Sequence, residues 1–263
     1  MDTTLNTIPD TFNCRRALSM AGFYRGGLGK TAVICGIGIA ASFASLLLTL
    51  FVSYGFIMLY SITSVILSLC VVMSPLIFNN RDQTLMAQVP VSPAEQTTFY
   101  TVCSAIAIPL AVQAVWYVLC IAAQLLTGHR VLAESYTLML SQSQSNSQLY
   151  DIMPVWLYFL NSVLQTISGI MLVLWVVMCT RRKRRTMRAV LWYFGVYFVF
   201  GLGTGIVGFA VGFHDGIEGI SNNPDEISRR VMDIILPMLY LFDLFCMGLC
   251  VFGVRSIYRH LRG

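Results

Sequence analysis

Charge is what this sequence has least of. Of its 263 residues only 11% are charged while 57% are hydrophobic, and the mean hydropathy is +0.73. Because water-soluble domains carry roughly 25% charged residues, this composition excludes an ordinary soluble protein and predicts an integral membrane protein. The first thirty residues are polar and basic without an early apolar core, so we expect no cleavable signal peptide.

The motifs of common enzyme and metal chemistries are missing as well. The eight cysteines lie in or beside apolar runs and none forms a C-x-x-C pair, which argues against both a zinc site and a disulfide framework. Neither H-E-x-x-H nor G-x-S-x-G occurs, and the three histidines are scattered. The sequence therefore predicts no metal, no cofactor and no catalytic site. An intramembrane enzyme is kept only as a third functional alternative.

Two glycine-rich stretches resemble nucleotide-binding motifs but lack their context. A phosphate loop ending at Gly29-Lys30-Thr31 would need a glycine where Tyr24 stands. The stretch Gly203–Gly208 reads G-x-G-x-x-G, but it lies inside an apolar run with no strand before it. Both motifs depend on a strand, a turn and a helix, so neither predicts a nucleotide site.

Glycines in this apolar run favour helix packing instead. The pairs Gly201/Gly205 and Gly208/Gly212 are each four residues apart, the small-xxx-small spacing that lets helices approach closely in lipid. The partner helix could belong to the same chain or to a second copy, and in the second case the glycines hint at a homo- or heterodimer of membrane subunits.

Long apolar runs predict six membrane spans. Residues 31–78 are almost uninterrupted apolar sequence, and because a bilayer core needs about twenty helical residues, this run predicts two spans with a turn near Ser53-Tyr54-Gly55. Further spans are predicted at 98–126, 153–179, 189–213 and 231–254. The fold class is therefore an all-α integral membrane protein, with one six-helix domain over 31–263.

The segment before the spans, residues 1–30, mixes apolar and basic residues. This pattern predicts an interfacial amphipathic helix lying on an anionic leaflet, and the alternative is a disordered tail whose charges only fix the topology. The interleaved residues are Phe12, Ala17, Leu18, Met20, Ala21, Phe23, Tyr24 and Leu28 with Arg15, Arg16, Arg25 and Lys30.

Basic residues are distributed very unevenly between the predicted loops. Six spans place both termini on one side, and that side receives fourteen of the seventeen Lys and Arg. By the positive-inside rule, both termini and the loops 79–97 and 180–188 are cytoplasmic, in the plasma (inner) membrane. The run Arg181–Arg185 is interpreted as a topology determinant beside anionic lipids rather than a nucleic-acid site.

A polar interruption of about twenty residues, 79–100, separates the second and third spans. Within it, Ser92-Pro93-Ala94-Glu95 predicts a helix start in water, with Ser92 as the cap and Glu95 reaching back to it. With this start the third helix is about thirty-five residues and roughly 50 Å long, which exceeds the ~30 Å of hydrocarbon. Either it protrudes into water or Pro109 kinks it.

One carboxylate, Asp243, lies near the middle of the sixth predicted span. An ionised carboxylate at that depth costs a few kcal/mol or more, so it must face a partner or a cavity, or stay protonated. It is either part of a transport path or a structural hydrogen-bonding group, with Asn161, Gln165, Gln113 or a tyrosine hydroxyl as its partner.

These features together resemble the membrane subunits of type-2 ABC exporters. Members of that family have six spans with both termini inside, a basic amphipathic lead and a short cytoplasmic helix between the second and third spans. A motif of that segment corresponds here to Asp82-Gln83-Thr84-Leu85 and Pro90-Val91-Ser92, with Gln83 where the family has glycine.

The resemblance implies a permease subunit driven by a separate ATPase, because this chain has no Walker motif. It implies that residues 79–95 dock on that ATPase, and that the helix starting at Ser92 transmits its closure to the spans. Polar contacts would come from Arg81, Asp82, Gln83 and Glu95, and apolar contacts from Leu85, Met86 and Val89. The alternative is a membrane scaffold or accessory protein that binds a cytoplasmic partner without transport.

Overall fold

The computed structural model describes residues 12–78, 91–135, 138, 155–180, 184–218 and 224–262. This part of the chain is almost entirely helical and contains no strand. The helices are α1 (Cys14–Phe23), α2 (Arg25–Phe51), α3 (Ile57–Val72), α4 (Ser74–Phe78), α5 (Pro93–Val102), α6 (Ile108–Thr127), α7 (Val155–Cys179), α8 (Arg185–Glu218) and α9 (Pro224–Arg262).

Six helical stretches of the described chain are long and apolar enough to cross a membrane. They are Arg25–Phe51, Tyr54–Val72, Pro93–Thr127, Leu160–Cys179, Arg185–Gly203 and Tyr240–Arg262. The all-α fold and the presence of six helices of membrane-spanning length are therefore confirmed for the described residues. The cytoplasmic side of the termini and the contact of α1 with a leaflet stay predictions.

Helix boundaries differ from the predicted spans because a helix does not have to end where lipid ends. The first spanning helix already begins at Arg25, inside the predicted lead. Asp215 and Glu218 lie in the last turns of α8, and Asp225 and Glu226 lie in the first turn of α9, although the predicted spans end at 213 and begin at 231. Hydropathy marks the apolar part of a helix, while backbone hydrogen bonds extend it into water.

Helix α7 occupies the centre of the bundle. It packs against α9, α8, α3 and α4, and the run from Ile170 to Leu174 is buried without interruption, at no more than 5% exposure. A helix that is apolar on all sides is buried on all sides. The outward apolar residues of the other spans are left to lipid.

The turn between α2 and α3 lies at the predicted place. A short 3₁₀ helix covers Tyr54–Phe56, and the hydroxyl of Ser53 accepts a hydrogen bond from the Gly55 amide at 3.2 Å. Small polar residues then join the two helices, since the Ser45 and Thr63 hydroxyls are 2.7 Å apart. Such contacts hold helices together in lipid, where hydrophobic attraction between helices is absent.

The third span is one continuous helical stretch of 35 residues, Pro93–Thr127, as predicted. A π-helical turn at Cys103–Ala107 joins α5 to α6 directly before Pro109. Proline supplies no backbone N–H and disturbs the preceding turn, and a wider π turn is one way in which a helix absorbs such a disturbance. Gly128, with φ of 73°, ends α6 in the left-handed conformation.

Candidate functional site at the start of the third span

The start of α5 is fixed by reciprocal hydrogen bonds. The Ser92 hydroxyl accepts from the Glu95 amide at 3.3 Å, and Glu95 Oε2 accepts from the Ser92 amide at 2.9 Å. Pro93 occupies the first helical turn, where a missing N–H does no harm. This arrangement is a capping box, so the helix start predicted from the four residues is confirmed.

The second carboxylate oxygen of Glu95 binds the N-terminal segment. Glu95 Oε1 accepts from the backbone amide of Asn13 at 2.6 Å and from the Arg16 guanidinium, at 2.8 Å from Nη2 and 3.1 Å from Nε. Glu95 is fully buried, whereas the Arg16 side chain is 30% exposed. One carboxylate therefore caps α5 and also attaches α1 to it.

This arrangement differs from the helix start in water that the sequence predicted. Ser92, Glu95, Gln96 and Thr97 are all buried, because α1 covers the first turns of α5 and α9 packs against them as well. The charge of Glu95 can be buried since a guanidinium and two backbone amides satisfy it. A part for Glu95 in contacting a soluble partner would thus require α1 to move.

Four aromatic rings join the segments beneath the ion pair. Tyr24, Phe78, Phe99 and Tyr100 pack with ring centroids 5.2–6.3 Å apart, and the hydroxyls of Tyr24 and Tyr100 form a buried hydrogen bond. Phe78 ends α4 and Phe99 lies in α5, so both edges of the undescribed segment 79–90 are attached to one cluster. We call these rings the aromatic cluster.

Gly27 allows α2 to approach the end of α4. A Cβ atom at Gly27 would overlap the carbonyl oxygen of Phe78 and lie 3.1 Å from its carbonyl carbon. Backbone cannot move aside as a flexible side chain can, so a side chain is excluded here. This contact places the beginning of α2 directly against the position from which 79–90 departs.

Most of the residues predicted to contact an ATPase lie outside the described residues: Arg81, Asp82, Gln83, Leu85, Met86 and Val89. The structure brings Ser92 and Glu95 together as predicted. The sequence reasoning missed Asn13, Arg16 and Tyr24 as their partners. The spacing of Ala17, Met20 and Tyr24, all buried, marks one face of α1 and could have shown that it docks on protein.

A second polar region lies among α7, α8 and α9. The Tyr197 hydroxyl donates to the backbone carbonyl of Gln165 at 2.7 Å and is 3.1 Å from the Ser168 hydroxyl. The Tyr197 ring packs against Phe242 at 6.0 Å, and Gln165 donates to the Asn161 side chain. Since Phe242 immediately precedes Asp243, these contacts place Asp243 at the level of Gln165.

The Asp243 carboxyl group itself is incompletely satisfied. Its side chain is 8% exposed, and its Oδ1 has no hydrogen-bond partner among the described residues. The Asn161 Nδ2 atom, in a side chain 7% exposed, also lacks one there. The hydrogen bond to Asn161 or Gln165 that the sequence offered as a structural role is thus not formed by Oδ1.

Two of the four predicted packing glycines of α8 can be assessed, and neither is approached closely by another helix of the described chain. A Cβ atom added at Gly201 or Gly205 would meet no atom within 4 Å, and the surroundings of Gly208 and Gly212 are outside the described part. A close approach occurs instead at Gly169 of α7, where an added Cβ would lie 2.9 Å from the Tyr193 ring. Sequence spacing shows which glycines could pack, but not which helix is adjacent.

Comparison with known proteins adds nothing to the geometry. No family model, no curated protein and no solved structure matches this chain. In the described residues, no group of three or more His, Cys, Asp or Glu side chains could hold a metal ion. The function therefore has to be argued from the capped helix, the ion pair and the buried carboxyl group.

Proposed function

We propose that this chain is the permease subunit of an ABC-type exporter, driven by a separate ATPase subunit that docks on the segment around 79–90. The observation that carries the proposal is the way in which α5 begins. A capping box, the Arg16–Glu95 ion pair and the aromatic cluster connect both edges of that segment to the first turns of a 35-residue span.

This connection suits the transmission of a displacement. A partner that moved 79–90 would pull on Phe78 and Ser92 together, because α4 and α5 share the aromatic cluster. The displacement would pass along a helix roughly 50 Å long and reach α7 at the π turn, which packs against it. Nucleotide can drive the change only if the nucleotide-bound ATPase binds one of the two end states more tightly than the other.

Asp243 is the part of the bundle that favours transport over a scaffold. A scaffold needs only packing, and a buried carboxyl group whose Oδ1 lacks a partner among the described residues lowers stability without improving packing. Intramembrane ionisable residues usually belong to pathways. Asp243 would therefore face the transported molecule or ion when α9 moves relative to α7.

Co-purification tests the proposal. The tagged chain is purified from its own membranes in mild detergent, and bound proteins are assayed for ATP hydrolysis. We expect an ATPase to be retained by the parent and by Asp243→Asn, but lost when Leu85 and Met86 are both replaced by Asp, because charges would disrupt an apolar contact.

The matched control carries the same charges at the other end of the third span. Leu125 and Leu126 are 80% and 87% exposed, and their double replacement by Asp should leave the ATPase bound. If no ATPase is retained by the parent, or if both double variants lose it equally, the proposal is wrong.

A further inference from the structure

Three aromatic rings from three helices meet near one end of the bundle. The Trp175 indole donates from Nε1 to the Ser256 hydroxyl at 2.9 Å, and its ring packs edge-on against Trp192 at 6.1 Å and Phe252 at 5.5 Å. Trp192 and Phe252 are 51% and 55% exposed. The half-buried Trp175 of α7 thus lies between α8 and α9 and contacts both helices.

Arginines lie one or two turns beyond these rings on both flanking helices. Arg188 precedes Trp192 by four residues, and Arg255 and Arg259 follow Phe252 by three and seven residues. Residues with this spacing lie on the same face of a helix. All three arginines are exposed, and none has an acidic partner among the residues that the structure describes.

The beginning of α8 is fixed by a hydrogen bond to the end of α7. The Arg185 side chain is buried and donates from Nε to the carbonyl of Thr180 at 3.1 Å. This bond ties the first turn of α8 to the end of α7, so Arg188 projects from a fixed helix end. The groove is thus defined by Trp175, Arg188, Trp192, Arg255 and Arg259, and we call it the arginine groove.

We propose that the arginine groove binds the phosphate headgroup of an anionic lipid. Guanidinium groups bind phosphate oxygens in a bidentate manner, and basic pockets between spanning helices are suited to anionic headgroups. Tryptophan rings prefer the depth of the headgroups. Three arginines without an acidic partner among the described residues, beside two tryptophans, therefore match a phosphate at the membrane surface.

The rings favour a lipid over a free phosphate ion. A soluble phosphate would need only the arginines, whereas the exposed apolar surface of Trp192 and Phe252 continues two turns toward the bilayer centre, at Val199 on α8 and Phe245 on α9. An acyl chain would cover that surface while its phosphate lies between Arg188 and Arg259. The site does not depend on the exporter proposal, since it needs no ATPase and no cargo.

Native mass spectrometry of the purified chain measures this binding. Phosphatidylglycerol and, as a neutral reference, phosphatidylcholine are titrated separately. We expect tighter binding of phosphatidylglycerol, weakened about 30-fold in the variant Arg188→Gln/Arg259→Gln, at about fivefold for each arginine removed. Glutamine is neutral and keeps a polar, shorter side chain, and gel filtration checks that the variant is folded.

The matched control removes two arginines that the predicted topology places on the opposite side of the bilayer, Arg130→Gln/Arg229→Gln, with the same change in net charge. It should bind phosphatidylglycerol as tightly as the parent does. Equal weakening in both double variants would mean unspecific attraction and would overturn the proposal, as would an unchanged affinity in Arg188→Gln/Arg259→Gln.

Fluorescence separates a lipid from a free phosphate. Phosphatidylglycerol with brominated acyl chains should quench the tryptophan emission of the parent, and quench it less in Trp192→Phe. Inorganic phosphate should displace the lipid poorly. If inorganic phosphate competes as well as the lipid does and the brominated chains do not quench, the groove is an ion site and the lipid proposal is wrong.

Discussion

Two buried carboxyl groups in this protein have opposite surroundings. Glu95 receives hydrogen bonds on both oxygens from backbone amides and a guanidinium, whereas Oδ1 of Asp243 has no partner among the described residues. A satisfied buried charge fixes a structure, while an unsatisfied one lowers stability and persists for another reason. Glu95 therefore stabilises the fold, whereas no stabilising contact of Asp243 Oδ1 is present among the described residues.

The ion pair should be coupled energetically. In a double-mutant cycle of Arg16→Ala and Glu95→Gln, we expect a coupling free energy of about 2 kcal/mol, because either change alone leaves a buried polar group without its partner. Unfolding in mixed micelles, followed by helicity, measures it.

Arg15→Ala is the matched control, since Arg15 is the exposed neighbour of Arg16. It should change the free energy of unfolding by no more than about 0.5 kcal/mol. A coupling energy near zero between Arg16 and Glu95, or an equal effect of Arg15→Ala, would show that α1 is not held by the pair.

At the scale of whole helices, the third span connects the two hydrophobic parts of the bundle. Its first turns lie in the cluster with Tyr24 and Phe78, and its later part contributes Trp116 and Cys120 to the cluster around α2 and α3. The π turn lies between them. A change at the start of α5 can therefore reach both clusters through one helix.

The contact between α2 and α4 should tolerate no side chain at Gly27. Gly27→Ala would push the Phe78 backbone away and destabilise the protein by about 2 kcal/mol, the usual effect of overpacking. Chemical denaturation of the detergent-solubilised protein gives this number.

Gly29 is the matched control on the same helix, because a Cβ atom there would meet nothing within 4 Å. Gly29→Ala should be neutral or stabilise by up to about 1 kcal/mol, since alanine favours helix more than glycine does. Equal stability of the two variants would contradict the close approach of α2 to Phe78.

For the molecule as a whole, the structure supplies markers for topology. Cys14 is exposed next to Asn13, which contacts Glu95 at the start of the third span, and His129 is exposed just beyond its end. One residue therefore marks each end of a single span. If that span crosses the bilayer, the two must lie on opposite sides.

Thiol labelling of oriented vesicles tests the predicted orientation. A membrane-impermeant maleimide should label Cys14 only in inside-out vesicles, because the positive-inside rule places the N-terminus in the cytoplasm. In the variant Cys14→Ser/His129→Cys, it should label the new cysteine only in right-side-out vesicles. Cys14→Ser alone gives the background, and labelling of both positions from one side would refute the six-span topology.

Periodicity and local chemistry explain which predictions succeeded. Apolar run lengths gave six spans since a bilayer fixes the length of a helix. Ser92, Pro93 and Glu95 predicted a helix start because a capping box involves only neighbours in sequence. By contrast, the pairing of Glu95 with Arg16 joins residues 79 positions apart, and no local rule could have found it.

The sequence by itself determined three features of this protein: its suitability for lipid rather than water, the number of its helices of membrane-spanning length, and the residue at which the third of them begins. Each of these depends on composition or on adjacent residues. Only the tertiary structure decided that the start of that helix is buried under α1, that Gly27 and Gly169 are sites of close approach, and that Trp175 contacts Trp192 of α8 and Phe252 of α9. These features depend on which helices are neighbours in space, and packing selects neighbours by shape and by the satisfaction of polar groups across the whole bundle.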